Sequence, residues 1–170
     1  NHLASWRDKL TPKQSSGQKG PGRKPGPYEW YEIQDNIAYH KEFDCSKIIF
    51  NRFIIAPTFT YDTEGMMHND ACYFVVTSSP GLVGLLNSKL MWFQLRHLCT
   101  PLQNGYIQVF VQFLEKLAIP DLKQKSLDHL EELVFSVMNS RSMEREQSID
   151  DYVYSLYGLK TNEIRALEAW

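Results

Sequence analysis

The sequence has no paired cysteines. Cys45, Cys72 and Cys99 are odd in number and far apart among 170 residues, which excludes a zinc ribbon and a disulfide framework and leaves free thiols in a reducing compartment. It also lacks a basic surplus: 18 Lys and Arg face 20 Asp and Glu, a net charge of −2, where nucleic-acid binders usually run positive. The deficit is local. Residues 126–170 hold nine acids and four bases, so the preceding part carries 14 bases against 11 acids and is mildly basic. No long apolar run is present, because Leu82–Leu98 is broken by Asn87, Lys89, Gln94, Arg96 and His97; this excludes a membrane-spanning helix, and no secretory signal is recognisable.

Catalytic signatures are missing as well. There is no P-loop, no G-x-S-x-G and no H-E-x-x-H. Every Gly before residue 60 lies in one Pro-rich stretch, so no Gly turn follows a strand in the way an S-adenosylmethionine site requires. Nor is there an Asn/Asp-Pro-Pro-Tyr/Phe loop to hold a flipped adenine. Glu131–Glu132 runs on into Leu133 and Val134 without the Lys of a metal-dependent nuclease, and His68 and Asp70 have no third ligand, so they read as turn residues. The chain is therefore expected to be catalytically silent, without metal or cofactor of its own. Its start at Asn1 rather than Met suggests a piece of a longer protein.

What is present suffices for a core: 43% hydrophobic and 13% aromatic residues. His2–Leu10 predicts two helical turns. Thr11–Pro27, with four Gly, four Pro and four Lys or Arg, is expected to be a mobile linker. Short strands are expected around Tyr28–Ile33, Lys47–Phe50, Phe53–Ala56, Thr58–Tyr61 and Ala71–Val76. Ser79–Pro80 opens a helix with an apolar stripe through Leu82, Leu85, Leu86 and Phe93, ending before Thr100–Pro101. Ile107–Phe113 fits a strand or a lead into a helical turn. Lys125–Met138, Ile149–Tyr157 and Thr161–Glu168 predict three helices, with Gly158 stopping the second. The expected fold class is α+β: a small β-rich recognition body with a packed central helix and a C-terminal helical appendage. The expected segments are a linking helix (1–10), the linker (11–27), the body (28–122) and the helical end (123–170).

Several of these segments resemble one family in order and spacing. Trp30–Tyr31–Glu32, Lys47–Ile48–Ile49, Phe59–Thr60–Tyr61–Asp62 with Gly65, and Asn69–Asp70 before Tyr73–Phe74 are similar to the opening strands of the TaqI-like C-terminal specificity domain, found in adenine-specific DNA methyltransferases and type IIG restriction–modification enzymes. Leu85–Leu86–Asn87–Ser88–Lys89–Leu90 resembles its LLNSKL helix. Leu117–Ala118–Ile119–Pro120 departs from its LPIP only at Ala118, and Leu156–Tyr157–Gly158–Leu159 resembles its closing LYGL. The resemblance implies readout of a short duplex DNA sequence from the major groove, on behalf of a methyltransferase domain N-terminal in the same chain. S-adenosylmethionine, and Mg²⁺ should the parent cleave DNA, would belong to that parent, a cytoplasmic prokaryotic protein.

Direct readout uses Arg or Lys on guanine and Asn or Gln on adenine. Such residues cluster at Lys47, Asn51 and Arg52; at His68 and Asn69; and at Gln103, Asn104 and Gln108. Plainer roles stand beside each: Lys47 at a solvated strand edge, Asn69–Asp70 capping a hairpin, Asn104–Gly105 as a turn pair. Asn87, Ser88 and Lys89 are expected to position a loop by hydrogen bonding rather than to touch DNA. Two other readings remain open: a type I-like specificity module whose late helices dock methylation subunits, and a protein-interaction module without DNA contact, suggested by the acidic tail.

Overall fold

In the computed structural model, which describes residues 2–35 and 37–170, contacts divide the chain into two units, Asn1–Glu42 and Phe43–Trp170. The first residue of the expected 1–10 helix lies outside the described residues.

The first unit is organised by an arginine rather than by a ladder. A 3-10 turn, Leu3–Trp6, runs into one helical turn, α1 (Arg7–Leu10). The Arg23 guanidinium donates to the carbonyls of Leu10 (2.6 Å), Glu32 (3.0 Å), Glu29 (3.1 Å) and Trp30 (3.3 Å). Its backbone bonds Thr11 and Lys13, each at 3.1 Å. The Gly/Pro-rich segment expected to be a mobile linker thus carries a specific anchor. The strand expected at Tyr28–Ile33 does not form. Its carbonyls are occupied by Arg23, and the Glu32 carboxylate accepts from the Glu29 amide at 2.8 Å, closing a turn instead.

The second unit is α+β. Strand β1 (Lys47–Asn51) is central in an antiparallel sheet, between β3 (Thr60–Asp62) and β4 (Cys72–Val76). After one residue, Arg52, the chain continues as β2 (Phe53–Ile54), which belongs to a second antiparallel sheet with β5 (Thr100–Pro101) and β6 (Ile107–Gln108) in the order β2-β6-β5. The core holds Ile48, Phe50, Ile54, Leu85, Met91, Leu95, Ile107 and Val109, together with Leu130 and Val153 from the C-terminal helices.

The single helix expected from Ser79 onward is two. Helix α2 (Gly81–Asn87) ends at Ser88, whose backbone is extended (φ −66°, ψ 155°), and α3 (Lys89–Leu98) restarts. The Ser88 hydroxyl donates to the Leu85 carbonyl at 2.7 Å and accepts from the Met91 amide at 3.3 Å, capping the second helix. An apolar stripe continuous through the break hides it from a periodicity argument. Ser79 is not the N-cap of α2; Pro80 holds that position. A helical turn, α4 (Val111–Leu114), follows β6.

Three helices close the chain: α5 (Gln124–Asn139), α6 (Met143–Leu156) and α7 (Thr161–Glu168). Helix α5 lies against α2 at glycine distance. A Cβ at Gly81 would overlap the Leu127 carbonyl oxygen and sit 3.1 Å from the Leu130 Cβ; at Gly84 it would meet the Val134 Cγ2 at 2.8 Å. These helices therefore complete the core. Gly158, at φ +63°, ends α6 as expected.

Candidate functional site

The passage from one sheet to the other places Arg52. Asn51 pairs with Cys72 at the end of the first sheet. The Arg52 amide then donates to the Ala71 carbonyl, and the Val109 amide donates to the Arg52 carbonyl, each at 2.8 Å. Arg52 is thus fixed through its backbone by both sheets. The residue is half-buried, and its guanidinium carbon lies over the rings of Phe110 (4.9 Å) and Phe53 (5.2 Å). With the Gln108 amide oriented so that its oxygen faces the guanidinium, Oε1 accepts from Arg52 Nε at 3.2 Å and Nη2 at 3.1 Å. No carboxylate pairs with Arg52 among the described residues. An open depression lined by Tyr73, Phe110, Val111 and Gln112 adjoins it.

Lys47 has a different setting. It is 0% exposed, on the central strand rather than at a sheet edge, and its ammonium pairs with Asp62 and donates to the Phe43 carbonyl at 2.5 Å. Register explains this, since Lys47 and Asp62 are direct cross-strand partners. Burial pushes the Asp62 carboxyl up. Hydrogen bonds from Lys47 and from the amides of Glu64 and Met66, with the Lys47 charge, outweigh burial and leave it below the usual carboxylate range. Lys47 is therefore corrected from a groove contact to an interior ion pair. His68 is likewise turned inward: its ring packs between Phe43 (5.2 Å) and Phe74 (5.4 Å), and its Nδ1 lies 2.9 Å from the Asn69 carbonyl.

The remaining candidates are exposed or half-buried. Asn51 is exposed, and its side-chain Oδ1 accepts from the Cys72 thiol at 3.2 Å. The Asn69 side chain accepts from the Ala71 amide at 3.0 Å, closing the turn before β4. Gln103 and Asn104 are exposed at the tip of the β5–β6 hairpin, where Asn104 (φ 58°) and Gly105 (φ 78°) are both left-handed. Arg96, from α3, donates to the Gly105 carbonyl at 2.7 Å and fixes that tip. Gln108 and the hairpin belong to the second sheet and Arg52 immediately precedes it, while Asn69 borders the first.

Asn87, Ser88 and Lys89 make internal contacts. Asn87 brackets the Phe59 backbone, accepting from its amide at 3.0 Å and donating to its carbonyl at 2.8 Å. The Lys89 amide donates to Asp150 at 2.8 Å, and its ammonium reaches Glu168 at 2.5 Å and Gln147 at 3.3 Å. The hydrogen bond to Glu168 raises the Lys89 pKa, and burial raises that of Asp150.

Sequence reasoning missed Phe110, Arg96 and Arg23. Phe110 stands two residues after Gln108 and reads as one more core aromatic; its stacking on Arg52 depends on pairing across β2 and β6. Arg96 lies on an amphipathic helix and reads as solvated. Among the described residues no group of three His, Cys, Asp or Glu could hold a metal, and no helix is long and apolar enough to cross a membrane.

The family model for the TaqI-like C-terminal specificity domain matches residues 1–119, and the chain belongs to this family. No curated protein matches the chain. The matched range includes both sheets, α2, α3 and the β5–β6 hairpin, and stops before α5.

Proposed function

We propose that this chain reads a short duplex DNA sequence for an adenine-N6 methyltransferase or type IIG restriction–modification enzyme whose catalytic domain precedes it in the same polypeptide. The observation that carries the reading is the family match over residues 1–119 together with the second sheet, where Arg52, Gln103 and Asn104, residue types suited to base edges, share one small scaffold. In this reading S-adenosylmethionine is held by the catalytic domain, and Mg²⁺ enters only if the parent also cuts DNA. The setting is the cytoplasm of a prokaryote.

The acids concentrated after residue 125 leave the preceding part mildly basic, as a phosphate backbone requires. Selection of this chain against duplexes with a randomised centre tests the reading, repeated between about 50 and 200 mM salt. Enrichment of one short sequence, with binding that weakens as salt rises, is the expected result. A pool that stays random at the lowest salt overturns it.

A further inference from the structure

We propose that Arg52 reads a guanine through its terminal nitrogens, and that Gln108 holds Arg52 in place instead of touching a base; the inference rests on the DNA-reading function proposed above. A guanidinium offers five N–H groups in a fixed plane. Gln108 Oε1 occupies the edge formed by Nε and Nη2. The end formed by Nη1 and the outer N–H of Nη2 makes no hydrogen bond among the described residues, in contrast to Arg23, whose guanidinium is spent on four backbone carbonyls. That open end has the spacing of guanine O6 and N7 in the major groove.

The setting restricts the side chain to one direction. The guanidinium carbon lies over the rings of Phe53 and Phe110, and both flanking peptide groups are pinned, one to each sheet. Little side-chain entropy remains to be lost on binding, which favours a specific contact over a loose charge interaction. A guanidinium without a carboxylate partner is also short of acceptors, and a guanine edge supplies two. Gln108 is suited to the bracing role because it accepts without neutralising. A carboxylate there would spend the charge.

The experiment is the same selection, run with the wild-type chain and with R52A, R52K and Q108L, followed by titration of the enriched duplex. The wild type is expected to enrich a sequence with one invariant guanine. R52A should lose preference at that position alone and weaken binding to the selected duplex by roughly 10- to 100-fold, the range of a bidentate contact. R52K should retain part of it, and Q108L should relax the same position with a smaller loss. The DNA provides a test that no folding defect can imitate. Replacing that guanine with 7-deazaguanine, which lacks the N7 acceptor, should weaken wild-type binding, whereas inosine, which keeps O6 and N7, should not. An affinity loss in R52A uniform across sequences, with a salt slope reduced by about one, would identify a phosphate contact and overturn the inference. An unchanged preference in R52A overturns it while leaving the DNA-reading function intact. If the wild type enriches nothing, both fall.

Discussion

Lys47 and Arg52 lie on one run of extended chain, one at the start of β1 and the other between β1 and β2, and their charges have opposite settings. The Lys47 ammonium is taken out of water, so it needs a full counter-charge, and Asp62 supplies it across the ladder. The Arg52 guanidinium is delocalised and weakly hydrated, and tolerates half-burial against two aromatic faces and a neutral amide. One cation is part of the fold, and the other is left with capacity to bind. A count of basic residues treats the two alike, which is why net charge is a poor guide to this domain.

The sharpest way to break that contrast is to remove the partner of Lys47. Asp62→Ala leaves a buried ammonium unpaired and frees the amides of Glu64 and Met66, and should cost about 3–5 kcal/mol in urea unfolding. A loss under about 1 kcal/mol would mean that Lys47 escapes to solvent, and the contrast would collapse. Replacing both partners with apolar residues, Lys47→Met with Asp62→Leu, should recover part of the loss but not all. The amides of Glu64 and Met66 still lose their acceptor, at about 1 kcal/mol each.

Next in size is Gly81→Ala, which asks whether the helical side is as intolerant as the Lys47–Asp62 pair. The added methyl meets the Leu127 carbonyl, a backbone atom, so α5 must move, at about 1–3 kcal/mol in the same assay. Gly84→Ala should cost less, because its nearest neighbour is a Val134 methyl at 2.8 Å, a side-chain atom rather than backbone. Equal losses at the two positions would argue against this account.

Titration separates the carboxylates by sign. The folded pKa of Asp62 is lowered, so its stabilisation is complete above the unfolded value of about 3.9 and is lost as pH falls through the folded pKa. Asp150 is raised by burial, so its contribution is complete below the unfolded value and is lost as pH rises through the folded one. Thermal melts should therefore show the wild type weakening in acid below about pH 4. Asp150→Asn should gain stability relative to wild type between about pH 4 and pH 7. A difference constant over that range would remove burial of Asp150 as the cause. The smallest effect belongs to Arg52→Ala, which should change stability by no more than about 1 kcal/mol while altering DNA preference. A larger change in Tm than in sequence preference would make Arg52 another Lys47.

Much of the fold is legible in the sequence where neighbours in the chain decide the outcome. Lys47–Asn51 and Cys72–Val76 are β-branched and aromatic runs and form β1 and β4. The helices of the C-terminal third follow their apolar period, and Gly158 ends one by adopting φ +63°. Ser88 was legible only as a polar residue on an apolar helix. That it breaks the helix depends on the Leu85 carbonyl and the Met91 amide it serves. The Tyr28–Ile33 run failed as a strand because Arg23, distant enough to be left out of a local pattern, takes its carbonyls.

For the site, the sequence by itself determined which residue types were on offer and that Asn104–Gly105 turns the β5–β6 hairpin, because left-handed backbone favours those two side chains. It also carried the ordered motifs of the family. Tertiary structure decided which candidates face outward. Strand order made β1 central and register set Asp62 opposite Lys47, withdrawing that lysine; the crossing to β2 set Gln108 and Phe110 around Arg52. Burial of a charge depends on what lies across the sheet, and cross-strand partners are chosen by packing of the whole domain, not by sequence neighbours.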